Sequence, residues 1–272
     1  MKLVSAGTIT KASKLSTWYP DFPNAEIITI EQLLQMRSGI FDSLDDELIG
    51  LYYDDPLMKV DADSLIKLSA LNAKKFTEPD VKTVYCNIGY VLLEQIVEKV
   101  SGKDIRTYLK ENIFDPLGLS NTAYPEITDL PGTNLGYGWN SSSKEFEDKT
   151  VLNPNVPGGA GAMYSTIADL RTYVRALYTG ELLTPELQKE RMHTSGINGS
   201  QIVKYGEGIG QVGKFWGHNG TIMGFSTEMY YLPEKDAVII ICVNRLDKDD
   251  VSMTSNLFAA VTKIIFPEYV DW

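Results

Sequence analysis

Two cysteines and two histidines are all that the 272 residues hold of either type. Cys86 and Cys242 cannot build a disulfide framework and match no metal-ligand spacing. With only His193 and His218, a histidine-rich metal site is also excluded, so neither a metal nor a cofactor is expected. Positive charge is scarce: 25 Lys and Arg stand against 36 Asp and Glu, a net charge of -11, and the basic residues do not cluster. That balance excludes nucleic acid and disfavours an anionic membrane surface as partner. Long apolar runs are missing too. The longest, Ala237 to Val243, is far short of a transmembrane segment, and Met1-Lys-Leu-Val-Ser5 lacks the apolar core of a signal peptide. No repeat at solenoid periods and no Gly/Ser linker divides the chain.

What is present is ordinary globular composition, 43% hydrophobic and 22% charged, expected to fold as one domain over residues 1–272. The acidic run Asp42, Asp45, Asp46, Glu47, Asp54 and Asp55 reads as a solvated loop or helix face. Thr29-Ile-Glu-Gln32 is a capping box opening a helix that is expected to stop at Gly39. Asp61–Leu71 reads as a second helix. Asn87–Val100 reads as a third, with Ile88, Val91, Leu92, Ile96 and Val100 on one face and Gly102 at the C-cap. Further helices are expected over Asp104–Ile113, broken by Pro116, from Thr166 to Gly180, and after Thr184-Pro185. Residues 24–200 are therefore mostly helical. From 201 to 272 the pattern predicts strands at Lys204–Gln211, Lys214–His218, Phe225–Leu232 and Ala237–Asn244, then a helix from about Val251 to Ile265. Helices segregated from an antiparallel sheet make the fold class α+β.

Two segments carry the chemistry. Tyr85-Cys-Asn87 stands at the mouth of the strongest helix, where the helix dipole and nearby cations are expected to lower the tyrosine's pKa and let it take a proton from a hydroxyl. Asn87 would present its amide to a substrate carbonyl. Taken alone, the pair reads more simply as a packed aromatic and an N-cap. The second segment, Gly217-His-Asn-Gly-Thr221, is expected at the end of a strand whose free edge can bond a peptide-like substrate. A lone histidine there is more often structural than catalytic.

The order of landmarks is more specific than either segment. Ile28-Thr-Ile-Glu-Gln-Leu-Leu-Gln-Met-Arg-Ser-Gly-Ile40 comes first, then Tyr85-Cys-Asn-Ile-Gly-Tyr90 and Tyr108-Leu-Lys-Glu-Asn-Ile-Phe-Asp-Pro-Leu-Gly-Leu119. Gly158-Gly-Ala-Gly-Ala-Met-Tyr-Ser-Thr-Ile-Ala-Asp-Leu170 follows, and Gly217-His-Asn-Gly220 with Gly224-Phe-Ser226 closes the series. This succession resembles the serine β-lactamase-related family: class C β-lactamases, D-alanyl-D-alanine carboxypeptidases and related esterases and aminopeptidases. The resemblance implies a β-lactamase/transpeptidase-like fold and acyl transfer to a serine in Ser-x-x-Lys. It implies that Tyr85 is the general base or relay and Asn87 a partner of the substrate carbonyl or the lysine. His218 would orient the substrate, with Asn219 and Gly220 beside it and the Thr221 N–H in the oxyanion hole. The partner is then a small-molecule or peptide substrate.

That family's Ser-x-x-Lys has no counterpart at its expected place. Met1 to Thr10 resembles the tail of the nucleophile helix, so the serine and the first strands of the sheet are expected upstream of Met1. Ser64-Leu-Ile-Lys67, Ser141-Ser-Ser-Lys144 and Thr8-Ile-Thr-Lys11 offer only the bare pattern. Three readings follow. The chain belongs to a longer, active hydrolase; or it is a silent relative that binds a peptide, glycan or protein; or a separate chain supplies the missing pieces. Self-association through an uncovered sheet edge is expected if nothing covers it. Location is expected to be the cell envelope or secretion if an upstream signal exists, and the cytoplasm otherwise. Met36 stands where relatives usually carry histidine, and Asn219 where threonine is frequent; the Asn219 change disfavours efficient β-lactam hydrolysis and leaves esterase or peptidase chemistry equally open.

Overall fold

The structure, a computed structural model, describes residues 1–126, 135–140, 143–246 and 252–270. Ten α-helices are assigned among these: α1 Lys2–Ser5, α2 Ile30–Leu34, α3 Asp46–Asp54, α4 Ala62–Leu71, α5 Asn87–Ser101, α6 Ile105–Leu109, α7 Asp115–Leu117, α8 Ile167–Thr179, α9 Pro185–Arg191 and α10 Met253–Ile265. The strands are β1 Tyr137–Asn140, β2 Glu145–Asp148, β3 Ser195–Gly196, β4 Val203–Tyr205, β5 Gly210–Val212, β6 Phe215–Ile222, β7 Phe225–Leu232, β8 Ala237–Val243 and β9 Arg245–Leu246. The result is α+β, as expected.

Caps decide where the helices start. Thr29 accepts from the Gln32 N–H while the Gln32 side chain accepts from the Thr29 N–H, so the capping box forms. Asp45, Asp61, Asp104, Thr166 and Thr184 cap in the same sense. Gly102, Gly118 and Gly180, all left-handed, close α5, α7 and α8. Three expectations need correction. The α2 helix ends at Leu34, not Gly39, because Met36 turns to φ 58° and its side chain enters the core. Pro116 does not break the helix after Asp104: a π-helical turn at Lys110–Phe114 carries the chain into α7, where Pro116 sits in the first turn. The acidic run, expected to be a solvated loop or helix face, is so at Asp46, Glu47, Asp54 and Asp55, which lie exposed on or beside α3, but not at Asp42, which is only half-exposed.

The main sheet has order β3-β4-β5-β6-β7-β8, with every neighbouring pair antiparallel. Its two faces follow the period of two. Phe215, Tyr230, Leu232 and Ile239 pack with Phe258 of α10, whereas Met229, Tyr231, Val238 and Ile240 pack with Val174 and Leu170 of α8. The apolar β8 is thus covered on both faces, as its composition predicts. The largest core lies in the helical part, where Leu33, Leu65, Ile88, Leu92 and Ile96 are each at most 1% exposed. A second sheet, β2-β1-β9, was not foreseen; its β1–β2 hairpin is too polar and too short to show a strand period.

Two edges matter for the site. The β5 strand pairs with β6 only from Gly210↔Gly217 to Val212↔Phe215. Beyond that, His218 to Ile222 bond β7 on one side and meet no strand on the other among the described residues. This stretch lies inside an eight-residue strand rather than at the end of a shorter one, which corrects the expected boundary. At the far side, β8 has only β7 as a neighbour in its sheet.

Candidate active site

The α5 helix opens at the sheet, and its first turn explains how the two predicted segments meet. Its N-cap is Cys86, whose side chain caps nothing, so Asn87 is not the N-cap. The capping group comes from elsewhere in the chain. The Asp42 carboxylate accepts from the Asn87 backbone N–H at 2.8 Å and from Asn87 Nδ2 at 2.9 Å. A carboxylate at the positive end of a helix is favoured electrostatically. Burial nevertheless holds the Asp42 carboxyl above its ordinary range, with the Asn87 and Leu44 amides opposing the rise. Asp42 therefore does not belong to a solvated run. It locks Asn87 Nδ2 and leaves Oδ1 as the atom able to receive a proton donor.

Tyr85 precedes this turn, and its N–H is held by the Asn198 side chain at 3.0 Å. Its ring meets Tyr205 edge-on, with centroids 6.3 Å apart, and lies 6.3 Å from the His218 ring. The expected fall in its pKa is not found. Burial raises it, and the Asp42 carboxylate adds to the rise. Burial of the phenol first, and the negative charge beside it second, outweigh the helix dipole.

His218 projects from the α8-side face of β6 and is held at both nitrogens. Nδ1 donates to the Asn219 carbonyl at 2.5 Å, which leaves Nε2 to accept from the Tyr205 hydroxyl at 3.1 Å. Burial lowers the pKa of this imidazole, so the ring is neutral at pH 7. Tyr205 and Tyr90 hydroxyls lie 3.5 Å apart, and Tyr90 in turn donates to the Leu34 carbonyl at 2.9 Å. Tyr205 was not singled out from the sequence; the only signal was its glycine-rich neighbourhood, Tyr205-Gly-Glu-Gly208.

These groups surround a cavity of 180 Å³ lined by Tyr85, Asn87, Tyr90, Tyr173, Tyr205 and His218, with Met36 and Ala160 closing its walls. Among the described residues, its lining includes no serine, threonine, cysteine, lysine or arginine. Cys86 points away, its thiol directed at the Ile40 carbonyl and pushed by burial up to about 12.

Asn219, Gly220 and Thr221 are exposed along the unpaired stretch of β6. The alternation of the strand puts the Asn219 and Thr221 side chains on the α10 face. The Thr221 hydroxyl there starts a chain through Ser226 at 3.1 Å to Thr254 at 2.7 Å. What these residues offer the cavity side is backbone. Gly220 leaves open space around its α-carbon, and a β-carbon there would meet nothing within 4 Å.

The alternative nucleophiles are elsewhere. Ser64 is exposed on α4, with its N–H on Asp61 at 2.7 Å. Lys11 is committed to Glu31, Glu190 and Glu207 at 3.4, 2.5 and 2.7 Å. Ser141 lies outside the described residues. A polar depression of 290 Å³ beside Thr83 holds His193, Lys82 and Arg37, the last paired with Asp80 at 2.9 Å; none of the predicted site residues lines it.

Comparison with known proteins agrees with this fold. Penicillin-binding protein 4* of Bacillus subtilis (strain 168) is 25% identical over 288 residues, an alignment covering 99% of this chain and 62% of that protein. The chain thus spans less than two thirds of that relative's length. Among solved structures, a D-stereospecific amidohydrolase from Streptomyces sp. superposes with a TM-score of 0.82 at 25% identity, covering 90% of this chain and 77% of that one. A D-amino acid amidase from Ochrobactrum anthropi SV3 shares the fold, with a TM-score of 0.79 at 24% identity over 96% of this chain and 78% of its own. The family profile described as Beta-lactamase matches residues 1–262, and the chain belongs to that family of serine hydrolases.

Proposed function

We propose that this chain is the base-and-substrate part of a serine acyl-transfer hydrolase whose nucleophile lies on a Ser-x-x-Lys segment preceding Met1 in the complete protein. The observation that carries the reading is the cavity where Tyr85, Asn87 and His218 converge and no hydroxyl nucleophile or lysine lines the wall. Tyr85 beside Asp42 needs a cation before it can act as a base, and the lysine of such a segment supplies one. The Asn87 Oδ1 is placed to receive that lysine. The entry point also fits. Met1, just before α1, is partly buried against the largest core, which Tyr85 and Tyr90 of the cavity wall also join. A backward extension of α1 would start from that core. The open edge of β8 and the exposed Leu257, Ile264 and Ile265 of α10 offer a bed for further strands and a helix.

In this scheme the serine oxygen attacks the substrate carbonyl while its proton passes to Tyr85. The oxyanion sits against the Thr221 N–H, and the proton returns to the leaving group as the acyl-enzyme forms. Water then repeats the sequence and frees the acid.

The chain alone is expected to take no covalent label from a fluorophosphonate or a fluorescent penicillin, whereas protein extended through an in-frame upstream Ser-x-x-Lys labels about one to one. Absence of that upstream motif, or stoichiometric labelling of Ser64 or Ser141, rejects the proposal. Ligand-induced stabilisation without turnover in the extended protein favours the silent-binder reading instead.

Electrostatics narrows the substrate. A neutral His218, a lining without cations among the described residues and the nearby Asp42 carboxylate mean that this chain's part of the site gives no attraction to a free carboxylate. A D-amino acid amide, the substrate class in the name of the Ochrobactrum anthropi relative, suits the site better than a carboxylate-bearing lactam. In the extended protein, His218→Lys is expected to raise kcat/KM for a penicillin by about tenfold relative to an amino-acid amide, the worth of one modest charge-assisted hydrogen bond. An unchanged ratio would count against charge at position 218 as the selector.

A further inference from the structure

One wall of the cavity is a turn, Gly158-Gly-Ala-Gly161, which contributes Ala160 to the lining. The turn lies hard against α5, the helix that also carries Asn87 and Tyr90. A β-carbon on Gly159 would stand 2.6 Å from the Tyr90 carbonyl oxygen and 2.8 Å from Glu94 Cβ, so only glycine permits this approach. Gly158 takes φ 48° to enter it.

The polar group at this contact is the Glu94 carboxyl, one helical turn after Tyr90. It receives the Tyr124 hydroxyl at 3.2 and 3.4 Å on its two oxygens, and the Gly159 amide is directed at it. Among the described residues no cation pairs with it. Arg106 of α6 stacks over the Tyr124 ring at 4.8 Å and is tied to Asp104, Asn155 and the Pro125 carbonyl. Glu98, one turn further along α5, adds a like charge, fixed by accepting the Ile105 N–H at 2.9 Å. The glycine turn itself carries no ionisable group. This acid stands between a cavity wall and its supporting helix with a like charge beside it; Arg106 acts on it through space, favouring its ionised form, without an ion pair among the described residues.

We infer that Glu94 is the positioning residue of this wall: its neutral carboxyl fastens the Gly158–Gly161 turn to α5, and its ionised form lets the turn loosen. The sign follows from linkage. With the turn closed, burial first and Glu98 second push the carboxyl up from 4.5 to about 7. With the turn lifted, water reaches the carboxylate and the ordinary value returns. Proton binding therefore favours the closed wall, and full ionisation shifts the balance toward opening by a factor on the order of 10². The neutral acid still has a donor for Tyr124 and an acceptor for the Gly159 amide, so closure does not need the charge.

The test reads the wall directly. Amide hydrogen exchange of the segment around Gly159–Ala162, corrected for the intrinsic pH dependence of exchange, is followed from pH 5.5 to 8.5 on the chain itself. The expected result is a loss of protection of tenfold or more with a midpoint near 7 in the wild type. Glu94→Gln, which keeps one donor and one acceptor, should stay protected throughout, and Glu94→Ala should be unprotected throughout with the exchange of α8 unchanged. A wild-type profile that is flat, or a Glu94→Gln profile that titrates like the wild type, overturns the assignment. Because no turnover is needed, either result leaves the acyl-transfer proposal to be judged by labelling alone.

Discussion

Gly217→Ala is expected to cost more than about 3 kcal/mol of stability, well above the usual effect of one methyl group. The methyl carbon would lie 1.9 Å from the Met229 carbonyl oxygen and 2.9 Å from both the Met229 carbonyl carbon and the Tyr230 α-carbon. All three are backbone atoms of β7, so no rotamer change relieves the clash. Typical overpacking costs about 1–3 kcal/mol because side chains can shift. Here β6 and β7 must separate, and the seven residue pairs from Trp216↔Tyr231 to Ile222↔Phe225 are one ladder. His218↔Met229 is the next pair after the clash, so the imidazole would leave Tyr205 as well. Gly220→Ala is the control: its methyl meets nothing within 4 Å, and its effect should stay within about 0.5 kcal/mol. Denaturant midpoints of the two variants against the wild type decide the matter. Equal midpoints would mean that the strands can spread at Gly217 without loss.

The contrast between these two glycines shows where reading the sequence stops. Both sit in Gly217-His-Asn-Gly220, and as letters both suggest close approach to a ligand. Only packing reveals that Gly217 serves the neighbouring strand and Gly220 the open edge. Period and caps made the long elements legible. Thr29–Gln32, the apolar face of Asn87–Val100 and the strand expected over Phe225–Leu232 all translate into geometry within a few residues. Elements stabilised by distant partners were not legible. The β1–β2 hairpin owes its place to β9, about a hundred residues on, and Pro116 is absorbed by a π-turn that no composition signals.

The site divides in the same way. Tyr85, Asn87 and His218 stood out because short motifs carry them, and the fold brings them to one cavity. Asp42 did not, because it looked like one more acid in an acidic run. Its effect comes through space, onto the Asn87 amides and against ionisation of Tyr85. The expectation of a lowered Tyr85 pKa failed because burial first and the Asp42 charge second oppose ionisation: the helix dipole is a local term that the sequence shows, and both opposing terms are tertiary ones that it hides. The same holds for His218, whose neutral state comes from burial and whose Nε2 is held by Tyr205, thirteen positions away.

Glu94→Gln is expected to stabilise the protein, and to do so only at neutral and alkaline pH. The folded-state carboxyl is raised to about 7 from 4.5, so folding is favoured by the protonated form. Its contribution is fully present below about pH 4.5, is lost as pH rises toward 7, and becomes a constant cost above that. A rise of this size corresponds to about 3 kcal/mol, and partial solvation of the side chain brings the expectation to about 2 kcal/mol. Glutamine is uncharged and retains partners for the Gly159 amide and Tyr124, so the variant escapes the cost. Asp42, whose carboxyl is also raised by burial, titrates in both proteins and cancels from the difference. Thermal melts at pH 5 and pH 8 should therefore give nearly equal midpoints at the lower pH. At the higher pH the variant should melt later by roughly 4–8 °C, from the usual scaling of about 2–4 °C per kcal/mol for a chain near this size. A variant destabilised at both values would mean that the charge itself holds the turn. A stabilised one means that Glu94 is retained against the interest of stability, which is the behaviour of a residue that moves a wall rather than one that only supports it.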